Sequence, residues 1–176
     1  MIEVGILINV GEINYKVIRL LGKGKGGYSY LVEANNELFV LKQIHHEPCD
    51  YYQFGNKIEA EINDYERILH TKVRMPKLIY VDKNREIIIK EYIEGPTIAD
   101  LIKEEKDVSV YIKQLREMLP SIYKAGLNID YYPTNFVVCI ESDQIYYIDY
   151  ECNSYDPKWD FDNWGLQYWL NKNNQN

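Results

Sequence analysis

The sequence predicts an α+β fold, with an antiparallel, strand-rich first half carrying one helix and a second half that opens on helical spacing. Three observations predict it. Short apolar runs broken by Gly and Asn pairs fill most of the first hundred residues. One segment there, 56–71, has the helical period instead. After Glu94-Gly95-Pro96-Thr97 the apolar spacing lengthens to that of helices.

Taken in order, residues 4–10 and 16–21 read as strands. After a glycine-rich turn come strands at 29–33 and 38–43, joined by Ala34-Asn35-Asn36, whose asparagines tolerate the positive φ of a tight hairpin. The helix over 56–71 places Ile58, Ile62, Tyr65 and Leu69 on one stripe with acidic residues around it. Strands at 77–81 and 87–92 flank the turn Asp82-Lys83-Asn84. The lobe boundary falls near 93–95, dividing the chain into 1–93 and 94–176.

Thr97 is the predicted N-cap of a short helix through Ile102. Residues 108–124 recur apolar at Val110, Ile112, Leu115, Leu119 and Ile122, with Pro120 expected to distort the last turns and Gly126 to end them. Short strands at 136–140 and 144–149 bracket Glu141-Ser142-Asp143, a final helix covers 160–170, and the polar tail 171–176 is expected to fray.

Composition narrows the function. At 176 residues the chain makes one compact domain or two small lobes, since domains run to roughly 100–150 residues. Hydrophobic residues are 46 % and charged residues 27 %, the balance of an ordinary soluble protein, and 17 tyrosines are expected to fill the core and its rim. A net charge of −7 would repel a polyphosphate backbone, so nucleic acid is not an expected partner. No run approaches the 18 or so apolar residues of a membrane span, and Met1-Ile2-Glu3 begins without a basic leader, so a cytoplasmic protein with no membrane partner is expected. Cys49, Cys139 and Cys152 are too widely spaced for a thiolate zinc site or a disulfide framework and read as reduced thiols. Adjacent His45 and His46 point apart on a strand or loop and, with His70 near a helix end, read as surface polar residues.

Four motifs carry chemistry. Gly22, Gly24, Gly26 and Gly27 form a glycine-rich turn between strands, where backbone N–H groups can approach phosphate oxygens without Cβ interference. No helix follows the glycines and no G-K-[ST] appears, which disfavours Rossmann and Walker loops. Lys42 lies inside an apolar strand, where an ammonium needs a partner or a phosphate to offset its desolvation. Glu61 and Glu66 both border the helical stripe, and periodicity does not choose between them. In residues 127–136 polar groups interrupt an apolar run, and Asp130 and Asn135 are candidates for orienting a hydroxyl and ligating a metal. Asp149, at the end of Ile145-Tyr146-Tyr147-Ile148, is a candidate Mg²⁺ ligand.

Together, in this order, these pieces resemble the protein-kinase-like superfamily. The matching parts are Gly22 to Gly27, Val40-Leu41-Lys42, Glu61, the hinge-like run Lys90-Glu91-Tyr92-Ile93-Glu94-Gly95, Asp130 to Asn135, and Ile148-Asp149-Tyr150-Glu151. The resemblance implies a bilobal fold, with a five-stranded antiparallel N-lobe carrying one helix, a truncated, mostly helical C-lobe, and ATP between them. It further implies that Lys42 holds the α- and β-phosphates and pairs with Glu61. Adenine would bond backbone groups of Glu91, Tyr92 and Ile93, Asp130 would act as base, and Asn135 and Asp149 would hold Mg²⁺. ATP and Mg²⁺ are the expected cofactors.

The departures bear on the substrate. Asn128 and Ile129 stand where the family has the His and Arg of H-R-D, Tyr132 replaces a catalytic-loop Lys, and Asp149-Tyr150-Glu151 is more similar to the D-x-E of aminoglycoside-type phosphotransferases. Asp162 is the expected buried aspartate bonding the catalytic loop. The short second lobe is similar to those of compact atypical kinases, such as the RIO group, the small KEOPS-complex kinase and short bacterial Ser/Thr kinase-like proteins, and implies a protein partner that completes it. The expected activity is phosphoryl transfer from ATP to Ser/Thr of a protein. Alternatives are a small-molecule kinase and a nucleotide-binding pseudokinase acting as a docking module.

Overall fold

The computed structural model describes residues 1–48 and 55–170. Cys49 and the tail 171–176, expected respectively as a reduced thiol and a frayed end, lie outside the described residues. The chain divides into two compact units, Met1–Glu61 with Lys77–Tyr92, and Ile62–Pro76 with the residues from Ile93 on.

In the first unit β1 (Leu7–Val10), β2 (Ile13–Lys23), β3 (Gly27–Ala34), β4 (Glu37–Ile44), β5 (Leu78–Asp82) and β6 (Ile87–Glu91) form one antiparallel sheet in the order β1-β2-β3-β4-β6-β5. Among the described residues the sheet thus has six strands, matching the six runs read from the sequence rather than the five that the resemblance implies. The edge strand β1, within the predicted 4–10, pairs with β2 from Leu7↔Lys16 to Val10↔Ile13 and alternates Ile8 and Val10 inward with Leu7 and Asn9 outward. A period of 2 lets a four-residue edge strand bury two apolar side chains, which suffices to dock it. Asn35 and Asn36 take φ of 52° and 63° in the β3–β4 turn, the positive-φ pair that matches strand twist. Tyr15, Val17, Tyr30, Val32, Leu41, Ile87 and Ile89 form the core of this unit.

Helix α1 (Lys57–Leu69) starts where the Asn56 side chain accepts from the Glu59 N–H at 3.2 Å. Its buried positions are Ile58, Tyr65 and Ile68, whereas Leu69, expected on the stripe, is half exposed. The stripe closes on i+3 spacing at its end and turns Leu69 outward.

The second unit holds α2 (Ile98–Lys103), α3 (Ser109–Lys124) and α4 (Leu166–Leu170) with two two-stranded sheets. Thr97 caps α2 reciprocally: its hydroxyl accepts from the Asp100 N–H at 3.0 Å, and its own N–H donates to Asp100 Oδ2 at 2.9 Å. Helix α3 buries Ile112, Leu115, Met118, Leu119 and Ile122 and runs through Pro120 to Lys124, while Val110, expected in the core, is exposed. Gly126, at φ 70°, follows as the left-handed terminator.

Strands β7 (Leu127–Ile129) and β10 (Cys152–Ser154) pair antiparallel, as do β8 (Phe136–Val138) and β9 (Ile145–Tyr147). The β7–β10 ladder was not legible in the sequence because its partners lie 23 to 27 residues apart with no hairpin turn joining them, unlike the equally short β8 and β9. Residues 62–76 join this unit through specific bonds, which a linear division at 93 does not capture. The Arg74 carbonyl accepts from the Tyr147 N–H at 2.8 Å, the Pro76 carbonyl from the Tyr150 hydroxyl at 2.8 Å, and Asp64 Oδ2 from the Cys152 N–H at 3.2 Å. The predicted helix at 160–170 is a π-helical turn Phe161–Gly165 followed by α4, and a 3-10 turn Pro157–Trp159 precedes it. Among the described residues no helix is long and apolar enough to cross a membrane.

Candidate functional site

In the first unit the end of β2 and the start of β3 make the glycine turn, closed by the Gly24 N–H donating to the Gly27 carbonyl at 2.9 Å. The glycines differ in what the fold demands of them. A Cβ on Gly27 would meet the Gln43 carbonyl oxygen at 2.7 Å and Lys42 Cε at 3.3 Å, so packing alone requires glycine there. A Cβ on Gly22 or Gly26 would meet nothing within 4 Å, and one on Gly24 only the Gly27 oxygen at 3.9 Å. The protein itself does not need three of the four glycines, and their bare backbone faces open space.

Lys42, on β4 opposite Ser29, pairs with Glu61 of α1 at 2.7 Å, with side chains 14 % and 10 % exposed. Of the two acidic candidates the partner is Glu61, while Glu66 is exposed. Among the described residues, Glu61 Oε1 is buried with no hydrogen-bond partner. At the end of β6 the Glu91 N–H donates to the Lys77 carbonyl at 2.9 Å, and the Glu91 carboxylate accepts from the Lys77 N–H at 3.0 Å. Of the backbone groups of Glu91, Tyr92 and Ile93 expected to face adenine, the Glu91 N–H is therefore already bonded, to the Lys77 carbonyl. Tyr92 is half-buried and Ile93 buried.

A strap that the sequence did not reveal crosses the glycine turn. His45 Nε2 hydrogen-bonds the Gly24 carbonyl at 3.0 Å, and the His45 N–H donates to the Gly26 carbonyl at 3.2 Å. Glu47 accepts from Lys23 at 2.5 Å and from the Tyr28 hydroxyl. The Lys23 ammonium, with the Tyr28 hydroxyl second, holds the Glu47 carboxyl down at about 2. His46 is drawn the other way, to Glu86 at 2.6 Å, so the two histidines diverge. Among the described residues no cluster of three His, Cys, Asp or Glu could hold a metal.

In the second unit the short strands gather the three late oxygen donors. Asp130 directly follows β7, Asn135 directly precedes β8, and Asp149 lies between β9 and β10. The Ile148 N–H donates to the Asn135 carbonyl at 2.9 Å, tying the Asn135 turn to the residue before Asp149. Asp130 Oδ1 accepts from the Tyr132 N–H at 3.1 Å, and the Asn135 side-chain amide donates to the Asp130 carbonyl at 3.4 Å. That bond leaves the Asn135 amide oxygen as an acceptor. Asp149 Oδ1 accepts from the Tyr150 N–H at 2.9 Å. One carboxylate and one amide oxygen are the hard donor set that suits Mg²⁺, which completes its shell with phosphate oxygens and water.

One expectation about the support of this loop is corrected. Asp162 does not bond the catalytic loop; its carboxylate is exposed and pairs with Arg116 at 2.7 Å. The buried aspartate is Asp160, which accepts from the Asn163 N–H at 2.7 Å and caps the π-helical turn. The loop backbone is held instead by the buried Trp169 indole, donating to the Tyr131 carbonyl at 2.8 Å. Gly165 lets this segment approach, since a Cβ there would meet Tyr131 Cβ at 2.6 Å. Tyr147, wholly buried, accepts from the Asp130 N–H and donates to the Glu151 carbonyl. Burial raises its phenol well above the ordinary value, and the Asp149 carboxylate adds to the shift. Cys152 is likewise pushed up to about 12 by burial and then by Asp64, so it is an inert thiol.

In sequence the chain is 24 % identical over 168 residues to the serine/threonine-protein kinase ArnS of Sulfolobus acidocaldarius, a match covering 74 % of this chain and 26 % of ArnS. The chain thus spans about a quarter of the length of that relative. In structure it is similar to the BubR1 kinase domain, with a TM-score of 0.57 and 18 % identity, over 84 % of this chain and 49 % of the other. No protein-family model matches the chain. The fold is that of a protein-kinase domain.

Proposed function

We propose that the chain is an ATP- and Mg²⁺-dependent phosphotransferase that moves the γ-phosphoryl group of ATP to a hydroxyl, with Ser or Thr of a protein as acceptor. The observation that carries this reading is the Lys42–Glu61 pair beside a turn whose Gly22, Gly24 and Gly26 the fold itself does not require. A mostly buried ion pair is costly to desolvate and weak evidence of stability, so a cation held in place beside an open glycine backbone is more economically explained by a phosphate ligand. Similarity to a protein named as a Ser/Thr kinase supports the acceptor class.

In this reading Lys42, fixed by Glu61, would hold the α- and β-phosphates, and amides of the glycine turn other than that of Gly24, which closes the turn on the Gly27 carbonyl, would bond phosphate oxygens. Adenine would bond the backbone of 91–93 through groups other than the Glu91 amide. Asn135 and Asp149 would hold Mg²⁺, which when bound neutralises charge on the phosphates. Asp130, oriented by the Tyr132 amide, would orient the incoming hydroxyl and take its proton. Positioning and charge neutralisation would supply most of the rate enhancement. We place the protein in the cytoplasm.

The test is ATP turnover with Mg²⁺ for the intact chain and for Asp130→Ala and Asp149→Ala, offered protein extracts or small hydroxyl metabolites as acceptors. Turnover abolished in both folded variants is expected. Phosphate appearing only on small molecules would overturn the acceptor class, and nucleotide binding without turnover in every protein would overturn phosphotransfer in favour of a pseudokinase.

A further inference from the structure

Tyr147 has no role in the centre described so far, yet its hydroxyl lies at the junction of the two chain segments that carry that centre. The Asp130 N–H donates to Tyr147 Oη at 3.2 Å, and the Tyr147 O–H donates to the Glu151 carbonyl at 2.7 Å. One oxygen therefore joins the main chain of the candidate base to the main chain two residues past the candidate metal ligand. The ring is fully buried and packs on Phe136 with centroids 5.2 Å apart.

Phenylalanine would fill this space without a polar atom to satisfy, because a buried hydroxyl is unfavourable unless it is bonded. The hydroxyl is thus explained by the two backbone groups it serves. The β7–β10 ladder pairs Ile129 with Cys152, and Asp130 and residues 148–151 lie just beyond it, where the phenol adds a side-chain tie between the two segments. Asn128, which stands where the resemblance places a histidine, commits its side-chain amide to the Asp156 carbonyl at 2.8 Å. Asn128 meets the second segment through the backbone ladder, opposite Asn153, and this side-chain bond reaches Asp156 rather than residues 149–151.

We propose that Tyr147 is a positioning residue, its hydroxyl fixing the Asp130 backbone against the Asp149-Tyr150-Glu151 turn so that base and metal ligand keep a set spacing. This rests on the phosphotransferase reading of the same residues. Tyr147 touches no substrate; it acts through the two main-chain segments.

The experiment compares Tyr147→Phe with Tyr111→Phe, a hydroxyl deletion outside both segments, where the lost bond is to Asp143 at 2.7 Å. Near-UV circular dichroism establishes that each variant is folded. Steady-state ATP turnover gives kcat and KM, and electron paramagnetic resonance titrates Mn²⁺ in the presence of a non-hydrolysable ATP analogue. For Tyr147→Phe we expect kcat to fall about tenfold, KM for ATP to stay within twofold, and Mn²⁺ affinity to fall several-fold, with Tyr111→Phe unchanged. A folded Tyr147→Phe with the parent's kcat and Mn²⁺ affinity overturns the proposal. If Tyr147→Phe does not fold, 3-fluorotyrosine at position 147 alters hydroxyl donation without deleting it, and an unchanged kcat and Mn²⁺ affinity overturn the proposal equally. Failure of the parent protein itself to bind the Mn²⁺–nucleotide complex or turn over ATP would instead overturn the phosphotransferase reading, and this proposal with it.

Discussion

Replacing Lys42 by Met strands Glu61, and the structure sets the scale of the loss. The carboxylate is 10 % exposed, one oxygen already lacks a hydrogen-bond partner among the described residues, and the other lies 2.7 Å from the ammonium. At an effective dielectric constant of about 20, two unit charges at that distance attract by roughly 6 kcal/mol, most of which offsets their desolvation. Removing one partner forfeits the attraction and leaves the desolvation, so Lys42→Met and Glu61→Leu should each cost about 3–5 kcal/mol. Removing both eliminates the stranded charge, and the double variant should lose less than about 2 kcal/mol, giving a coupling energy of at least about 4 kcal/mol. Urea unfolding followed by tryptophan fluorescence and far-UV circular dichroism measures all four proteins, with coincident transitions licensing two-state values. A double variant whose loss equals the sum of the single losses would refute the account of a mutually dependent buried pair.

Three further outcomes are expected. Gly24→Ala should leave unfolding free energy within about 0.5 kcal/mol, because its Cβ meets only the Gly27 oxygen at 3.9 Å, while raising KM for ATP; a stability loss above 1 kcal/mol, or an unchanged KM, would count against the open-backbone reading. Gly165→Ala should destabilise by about 1–3 kcal/mol, since the new Cβ falls 2.6 Å from Tyr131 Cβ and 2.9 Å from Phe161 Cδ2, and denaturant midpoints would register it. The Glu47 carboxyl is depressed by Lys23 and Tyr28 to about 2, so the strap's contribution is fully present above the ordinary carboxylate range and is lost as pH falls through about 2. A side-chain carboxyl titration by NMR should find that low midpoint; one near the ordinary value of about 4.3 would show that the strap does not form in solution.

Local signals were enough where an element is long or punctuated. The Asn35-Asn36 turn, the Thr97 cap and the Gly126 terminator are each fixed by a side chain or a φ that neighbouring residues do not alter. The pairing of β7 with β10 is decided by partners 23 to 27 residues apart in the chain, with no hairpin turn joining them. Leu69 and Val110 fit an ideal stripe but face outward, because burial follows the packed neighbours rather than the period. Asp160 and Asp162 are indistinguishable in sequence; only the turn geometry shows that the former is the buried cap.

The order Gly22–Gly27, Lys42, Glu61, Asp130, Asn135, Asp149 is written in the chain, because each chemistry needs a particular side chain, and residue type is a local property. Which acidic residue meets Lys42, which strands hold Asp130 beside the Asp149 segment, and that a buried phenol ties them together were decided by tertiary structure. Those are distances between segments remote in sequence, set by packing and by the need of every buried polar group for a partner.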